Sequence, residues 1–397
     1  MAGDLVSRCG VGPTPVSLTS LAADGSPGTS DDPRQVVTVV VRIVRTLTCM
    51  SDGVRVAEQA LVAGLVLEPH RLAEVSAIVC RADFGSPVCQ QLFGRLVEAS
   101  SFGTERLPDV LRHHGELRGD GYPLSQLLQW FDLVPPASPL PAYARLVVEG
   151  AVCRRVQQAG LRLVQMSQRG QEPGSCLRAV AVQRSVLLAE RRRVATAPLQ
   201  PADGSVRESA SPRRGRVRVA PDVVHAELVT VGAVVSAPAL LHRLSWLSPA
   251  DFAAADCGRV FGRVVSMVRD GLPVDRVMVR DQLRRHGDLS DTRAVALLET
   301  AERAVPAVAS APFYAQQVLA ASISRQVGTA GDRLRELGAG RRGSALEIVD
   351  AAVAVLDSLG ALGGRLARAQ GSPPGRRVVR RAERLVRPEL YPASRGR

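Results

Sequence analysis

The chain contains no lysine and no asparagine, so all 51 of its basic residues are arginine. A phosphate-binding loop of the form G-x-x-x-x-G-K-[ST] uses its lysine to reach the outer phosphates, and this sequence has none to offer. ATP hydrolysis by that route is therefore excluded for the chain acting alone. Aromatic residues make up only 3% of the sequence, too few for the stacking platforms that hold single-stranded nucleic acid. The seven cysteines include no C-x-x-C pair, which argues against a disulfide framework or a zinc ribbon and suits a reducing compartment. No long apolar run is present either. The best candidate, Val36 to Val44, is short and broken by Arg42, so neither a signal peptide nor a membrane span is expected, and the chain reads as soluble and cytoplasmic. Ser-His-Asp, HExxH and GxSxG arrangements are missing as well. No catalytic residue, metal site or cofactor is expected.

The joint absence of lysine and asparagine means that A-rich codons are avoided, so part of the arginine excess is mutational. The net charge of +13 is correspondingly weaker as a sign of nucleic-acid binding than it would otherwise be. What the sequence does have is 397 residues with 46% hydrophobic content, enough for two or three domains with proper cores.

A stretch that occurs twice organises the rest. Ala82-Asp83-Phe84 through Cys89 to Phe93-Gly94-Arg95 reappears without a gap as Ala250-Asp251-Phe252 through Cys257 to Phe261-Gly262-Arg263, at an offset of 168 (252 − 84). Seven of the fourteen positions are identical, so the chain is two copies of one unit. Leu111-Arg112-His113-His114-Gly115-Glu116-Leu117 answers Leu283-Arg284-Arg285-His286-Gly287-Asp288-Leu289 at 172, with four residues inserted around Asp270-Gly271-Leu272-Pro273. Val134-Pro135 matches Val305-Pro306, and Pro141-Ala142-Tyr143-Ala144 matches Pro312-Phe313-Tyr314-Ala315 at 171 (314 − 143).

Apolar periodicity is helical throughout both copies. Leu61, Gly64 and Leu65 share one face, and Leu72, Val75 and Val79 form a second stripe. A third helix starts with Ser86 as cap and Pro87 in its first turn, and is expected to bury Leu92, Phe93, Leu96 and Val97. Long helices are expected from Pro141 to about Gln168 and from Pro312 to about Leu337, each followed by a glycine-containing turn, the second being Gly338-Ala339-Gly340. After it, Ser344 and Glu347 form a capping box ahead of Ile348, Ala352, Val355 and Leu359. The fold class is thus all-α: two copies of a helical head plus a helical hairpin, joined by a flexible linker. The divisions are a disordered extension over 1–52, a first copy at 54–193, an Arg/Pro/Gly-rich linker at 195–220, a second copy at 222–370 and a basic tail at 371–397. Val36-Val37-Thr38-Val39-Val40-Val41 reads as a lone strand within the extension.

Matched residues have bland explanations. His114 and His286 suit a helix C-terminus closed by the following glycine. Cys89 and Cys257 are small buried residues. Phe84, Phe93, Phe252 and Phe261 are core anchors, and paired carboxylates such as Asp83 and Glu116 show no acid/base spacing.

The order of these motifs resembles the N-terminal domain of replicative DNA helicases of the DnaB family. The second copy carries the resemblance best, with Asp251-Phe252, Arg259-Val260-Phe261, Gly271-Leu272-Pro273-Val274-Asp275, Leu283 to Leu289 and Tyr314-Ala315. The first departs at the turn, where Phe102-Gly103-Thr104-Glu105 stands instead. The resemblance implies a non-catalytic, all-α domain that forms a collar by hairpin pairing and docks primase and other replication partners, with ATP hydrolysis carried out by a separate domain. It implies a replication protein docking on or modulating replicative helicase or primase. It also raises the pairing of the two hairpins within one chain at high effective concentration, with a homo-oligomer as the alternative. A second reading is a weak, non-specific DNA-binding protein acting through Arg213, Arg214, Arg216 and Arg218 of the linker and Arg376, Arg377, Arg380 and Arg381 of the tail. On that reading the full chain retards DNA in a mobility-shift assay at low salt and ceases to do so once both arginine segments are removed. No shift at low salt eliminates it.

Overall fold

The structure is a computed structural model and describes residues 52–101, 129–134, 139–196, 220–340 and 343–371. The anticipated strand at 36–41, His114, the Phe102 to Glu105 departure and all eight candidate DNA-contacting arginines lie outside those residues. What is described is helical, with no strand among the described residues. No helix among them is long and apolar enough to cross a membrane.

The first head contains α1 (Asp52–Leu67), the short α2 (Leu72–Ser76) and α3 (Pro87–Ser101). Its hairpin is α4 (Leu140–Gln168) with α5 (Pro173–Thr196). The second head contains α6 (Pro221–Ser236), α7 (Ala255–Arg269), α8 (Arg276–Arg285) and α9 (Asp291–Ala304). Its hairpin is α10 (Ala311–Gly340) with α11 (Ala345–Asp357) and α12 (Gly360–Ala369).

Local chemistry sets most of the boundaries. The Ser86 hydroxyl accepts from the Cys89 backbone N–H at 3.4 Å, at the start of α3. Asp275 caps α8 by accepting from the N–H groups of Val277 and Met278 at 2.8 and 2.9 Å. The Ser344 hydroxyl accepts from the Glu347 N–H at 3.3 Å while the Glu347 carboxylate accepts from the Ser344 N–H at 2.8 Å, which is the anticipated capping box. Gly271 (φ 69°) and Gly287 (φ 66°) end α7 and α8 in the left-handed conformation. Leu272 N–H donates to the Met267 carbonyl and Asp288 N–H to the Leu283 carbonyl, each at 2.9 Å, closing the two helix ends in the same way. His286 occupies the exposed cap position before Gly287, as its sequence context suggested.

Three expectations need correction. Val97 is 38% exposed and does not belong to the buried stripe of α3. The helix expected to stop near Leu337 runs through Gly338-Ala339-Gly340, because Gly338 is needed inside it: a Cβ there would lie 2.7 Å from the Cys153 carbonyl oxygen. The helical stretch after Ser344 breaks at Ser358-Leu359 and resumes as α12, although Leu359 stays buried.

The two hairpins pack on one another, and α4 against α10 is the most extensive contact between elements. Each head packs on its own hairpin, α1 on α4 and α6 on α10. A single buried apolar cluster runs through both copies, so heads and hairpins share one core. Within the second head, α6 crosses α9 so closely that a Cβ on Gly232 would lie 2.3 Å from the Ala301 carbonyl oxygen. Gly232→Ala should consequently lower stability by about 1–3 kcal/mol in urea denaturation through overpacking. Helix propensity alone would raise it by about 1 kcal/mol, so the sign of the change identifies the cause.

Candidate docking surfaces

The repeated Asp-Phe step is where each head is tied to its hairpin. Asp83 is fully buried and accepts from the Cys80 N–H at 2.8 Å, from Arg155 at 2.8 Å and from both terminal nitrogens of Arg193 at 2.9 Å. Asp251, equally buried, accepts from the Ser248 N–H at 2.7 Å, from the Ser322 hydroxyl at 2.8 Å and from Arg365. One turn away, Arg154 and Arg325 donate to the main-chain carbonyls of Asp83 and Asp251. They occupy matching positions in α4 and α10 (325 − 154 = 171). A buried glutamate completes each joint. Glu58 accepts from the N–H groups of Gly85 and Ser86 at 2.7 and 2.9 Å, and Glu227 from those of Ala253 and Ala254.

Electrostatics in these joints fit fixed ion pairs better than proton transfer. Burial works against the charge on Arg193, but Glu190 and Asp83 outweigh it and hold the guanidinium pKa above its usual value. Burial lowers Arg154 and Arg325 in spite of nearby carboxylates. The thiols of Cys89 and Cys257 are pushed up to about 12, mainly by burial, which removes the thiolate that a nucleophile would need. Phe84 with Phe93 and Phe252 with Phe261 stack at 5.0 and 5.1 Å between ring centroids, each pair tilted by 38°. These are core anchors, as their sequence context indicated. Among the described residues no group of three His, Cys, Asp or Glu side chains is placed to hold a metal ion.

On their outer faces the copies differ. In the second copy a shallow groove lies between α7 and the turn at Pro249–Asp251, lined in part by Gly258 and Gly262. Its charges are matched: Arg263 donates to Asp288 at 2.9 Å, and Arg259 and Arg293 to Asp256 at 3.0 and 2.7 Å. The corresponding first-copy residues are Gln90, Gly94 and Arg81, and Arg81 Cδ lies 3.2 Å from where a Cβ on Gly94 would be. Pro249 Cγ lies equally near, 3.1 Å from where a Cβ on Gly262 would be, so a compact ring in the second copy takes the place of a long charged side chain in the first. A second feature is aromatic. Phe313 is 59% exposed and meets Tyr314 edge to face at 5.4 Å, and Tyr314 meets His225 in the same way at 5.7 Å. The first copy has Ala142 in the place of Phe313.

The sequence singled out Asp83 and both phenylalanine pairs but missed Glu58, Glu227, Arg154 and Arg325. Their signal was available in the constant offset of the two arginines and in a glutamate amid apolar neighbours, Ala226-Glu227-Leu228.

Two stretches of the chain, residues 54–149 and 219–320, match the DnaB-like helicase N terminal domain. Among curated relatives, a replicative DNA helicase DnaB of Leifsonia xyli subsp. xyli (strain CTCB07) is 31% identical over 100 residues, 25% of this chain and 22% of the relative. A replicative DNA helicase DnaB of Geobacillus stearothermophilus is 32% identical over 111 residues, 28% of this chain and 24% of the relative. The alignments thus span less than a quarter of the length of either helicase. No solved structure matches the chain significantly.

The joints make a stability prediction. Asp83→Ala removes one of the two carboxylates that Arg155 and Arg193 share, the other being Glu190, and should cost about 2–3 kcal/mol in urea denaturation, below the about 3–5 kcal/mol for a buried pair broken with nothing to compensate it.

Proposed function

We propose that this chain, which carries a DnaB-like helicase N-terminal domain in each half, is a non-enzymatic protein of the DNA-replication apparatus that docks on a replicative helicase or its primase. The observation that carries the reading is the division of its surface. The middles of the long hairpin helices are engaged with each other inside the chain, whereas two features stay exposed: the Phe313-Tyr314-His225 cluster, where the first turn of α10 meets α6, and the groove beside Gly258 and Gly262. Exposed aromatic side chains of this kind supply contact area at low entropic cost and are enriched among residues that dominate interface energetics. The family match ends at residue 149 in the first copy and at 320 in the second, so it covers the heads and only the beginnings of the hairpins. The lack of any lysine for a phosphate-binding loop supports a role in modulating or scaffolding the helicase, and we place that role in the cytoplasm.

Purified replicative helicase and primase from the same cells, each titrated separately onto the immobilised full chain, test this directly. Saturable binding to one of them, weakened about tenfold or more by Phe313→Ala as expected for a hot-spot aromatic, is the predicted result. Binding to neither, or saturable ATP binding by the chain alone, would overturn it.

A further inference from the structure

The seam between the hairpins is not symmetric, although the helices that form it are copies. Across the antiparallel α4 and α10, Gly160 meets Gly331 backbone to backbone, while Gln157 faces Gly338 and Ser167 faces Gly328. Gly160 and Gly331 correspond in the two copies (331 − 160 = 171), which places the pseudo-twofold axis at their crossing. By the same offset Gly338 corresponds to Ser167 and Gly328 to Gln157 (338 − 167 = 328 − 157 = 171). Both glycines on the flanks of the crossing are thus in the second copy alone.

Pairing two first-copy hairpins in this geometry would put Ser167 where Gly338 stands. A Cβ at that point lies 2.5 Å from Gln157 Cγ and 2.7 Å from the Cys153 carbonyl oxygen. The side chain could turn aside, but the carbonyl belongs to the α4 backbone and cannot. Likewise Gln157 would stand where Gly328 does, with its Cβ 2.8 Å from Ser167 Oγ. Like-with-like pairing of the first copy thus meets the α4 backbone on one side of the axis and the Ser167 side chain on the other.

An independent feature, on α5 and α11, points the same way. Arg184 pairs with Asp357 and Arg191 with Asp350, two bridges that join the hairpins across their outer edge. The repeat offset here is 172, fixed by Arg193 and Arg365, which bind equivalent aspartates (365 − 193). Asp350 and Asp357 therefore correspond to Arg178 and Ser185 (350 − 172 and 357 − 172). Two first-copy hairpins would set Arg191 against Arg178, a like-charge contact. Two second-copy hairpins would set Asp350 against Gly363 and Asp357 against Leu356, without any bridge.

We infer that the first hairpin selects the second and rejects a copy of itself, so that the chain is an obligate pair of unlike modules. Its partner at this seam is its own second half. Any hairpin with first-copy residues at these positions finds no seat there. This inference stands apart from the docking proposal and survives whether or not helicase or primase binds.

The full chain with its second copy converted to first-copy residues, Gly328→Gln/Gly338→Ser/Asp350→Arg/Asp357→Ser, provides the test, with Gly340→Ser as control. Gly340 lies in the same helix with open space where its Cβ would be, and both glycine replacements in the converted protein favour helix intrinsically. Propensity alone thus predicts a more stable converted protein. The seam predicts a lower melting temperature and amide exchange in α4 and α10 faster by about tenfold or more, with α1, α6 and α9 still protected. Gly340→Ser should show neither change. A milder variant addresses the charges: Arg184→Asp/Arg191→Asp should melt lower at low salt, and adding Asp350→Arg/Asp357→Arg should restore it. Native protection in the converted protein, or a stable dimer formed by it with α4 and α10 protected, would overturn the inference. The unaltered chain is expected to sediment as a 42.2 kDa monomer, and a dimer in which first-copy hairpins pair with each other would equally overturn the inference.

Discussion

The contact on which the rest of the described structure depends is the crossing of α4 and α10 at Gly160 and Gly331. Each glycine lets the other helix's backbone come so near that a Cβ would lie within 2.8 Å of a carbonyl oxygen. Close approach of this kind brings a long run of small and branched side chains into register on both helices, among them Val152, Val156, Ala159 and Leu163 on α4 and Ile323, Val327, Ala330 and Leu334 on α10, all buried. It also explains why these helices contain so many glycines despite the cost in helix propensity. A glycine that looks like a terminator in isolation is a contact point when a second helix lies against it.

From that crossing the N-terminal half of each long helix leads back to its own head, and buried carboxylates make the connection. Asp83 and Asp251 end the same short turn, and both receive an arginine from the far end of their hairpin, Arg193 and Arg365. Around this common feature the copies have diverged. Arg155 bridges Asp83 and Glu190 in the first, at 2.8 and 2.5 Å, whereas the second uses Ser322, supported by Gln326 at 2.9 Å, and has Leu362 in place of the glutamate. A network of several charges has been replaced by a hydroxyl, an amide and an apolar residue. Buried ion pairs and well-packed apolar groups of similar volume can be close in stability, which is the physical reason such drift is tolerated while the aspartate and its terminal arginine remain in both copies.

Divergence on the outside has a different character. Arg81 against Pro249, and Ala142 against Phe313, change the chemistry of the surface without touching the core. Two modules held in one body by a shared seam thereby offer two unlike faces. A chain that matches the DnaB-like helicase N terminal domain twice, in alignments over less than a quarter of the helicases' length, keeps one scaffold in both copies while their exposed residues differ.

The sequence by itself determined the helical class, the duplication and the heads' core. Periodicity, caps and glycine stops such as Ser344 with Glu347 and Gly287 are local, and local chemistry is decided within a few residues. Phe84, Phe93, Phe252 and Phe261 were legible because large apolar residues at matched positions have few places to go but inside. Tertiary structure alone decided whether Gly338 ends a helix or seats another, whether Val97 is covered, and which arginines meet Asp83 and Asp251. Those outcomes depend on residues distant in the chain, such as Arg155 beside Asp83 at a separation of 72, and Cys153 beneath Gly338 and Arg193 beside Asp83 at more than a hundred. No window along the chain contains both members of such a contact, and only packing brings them together.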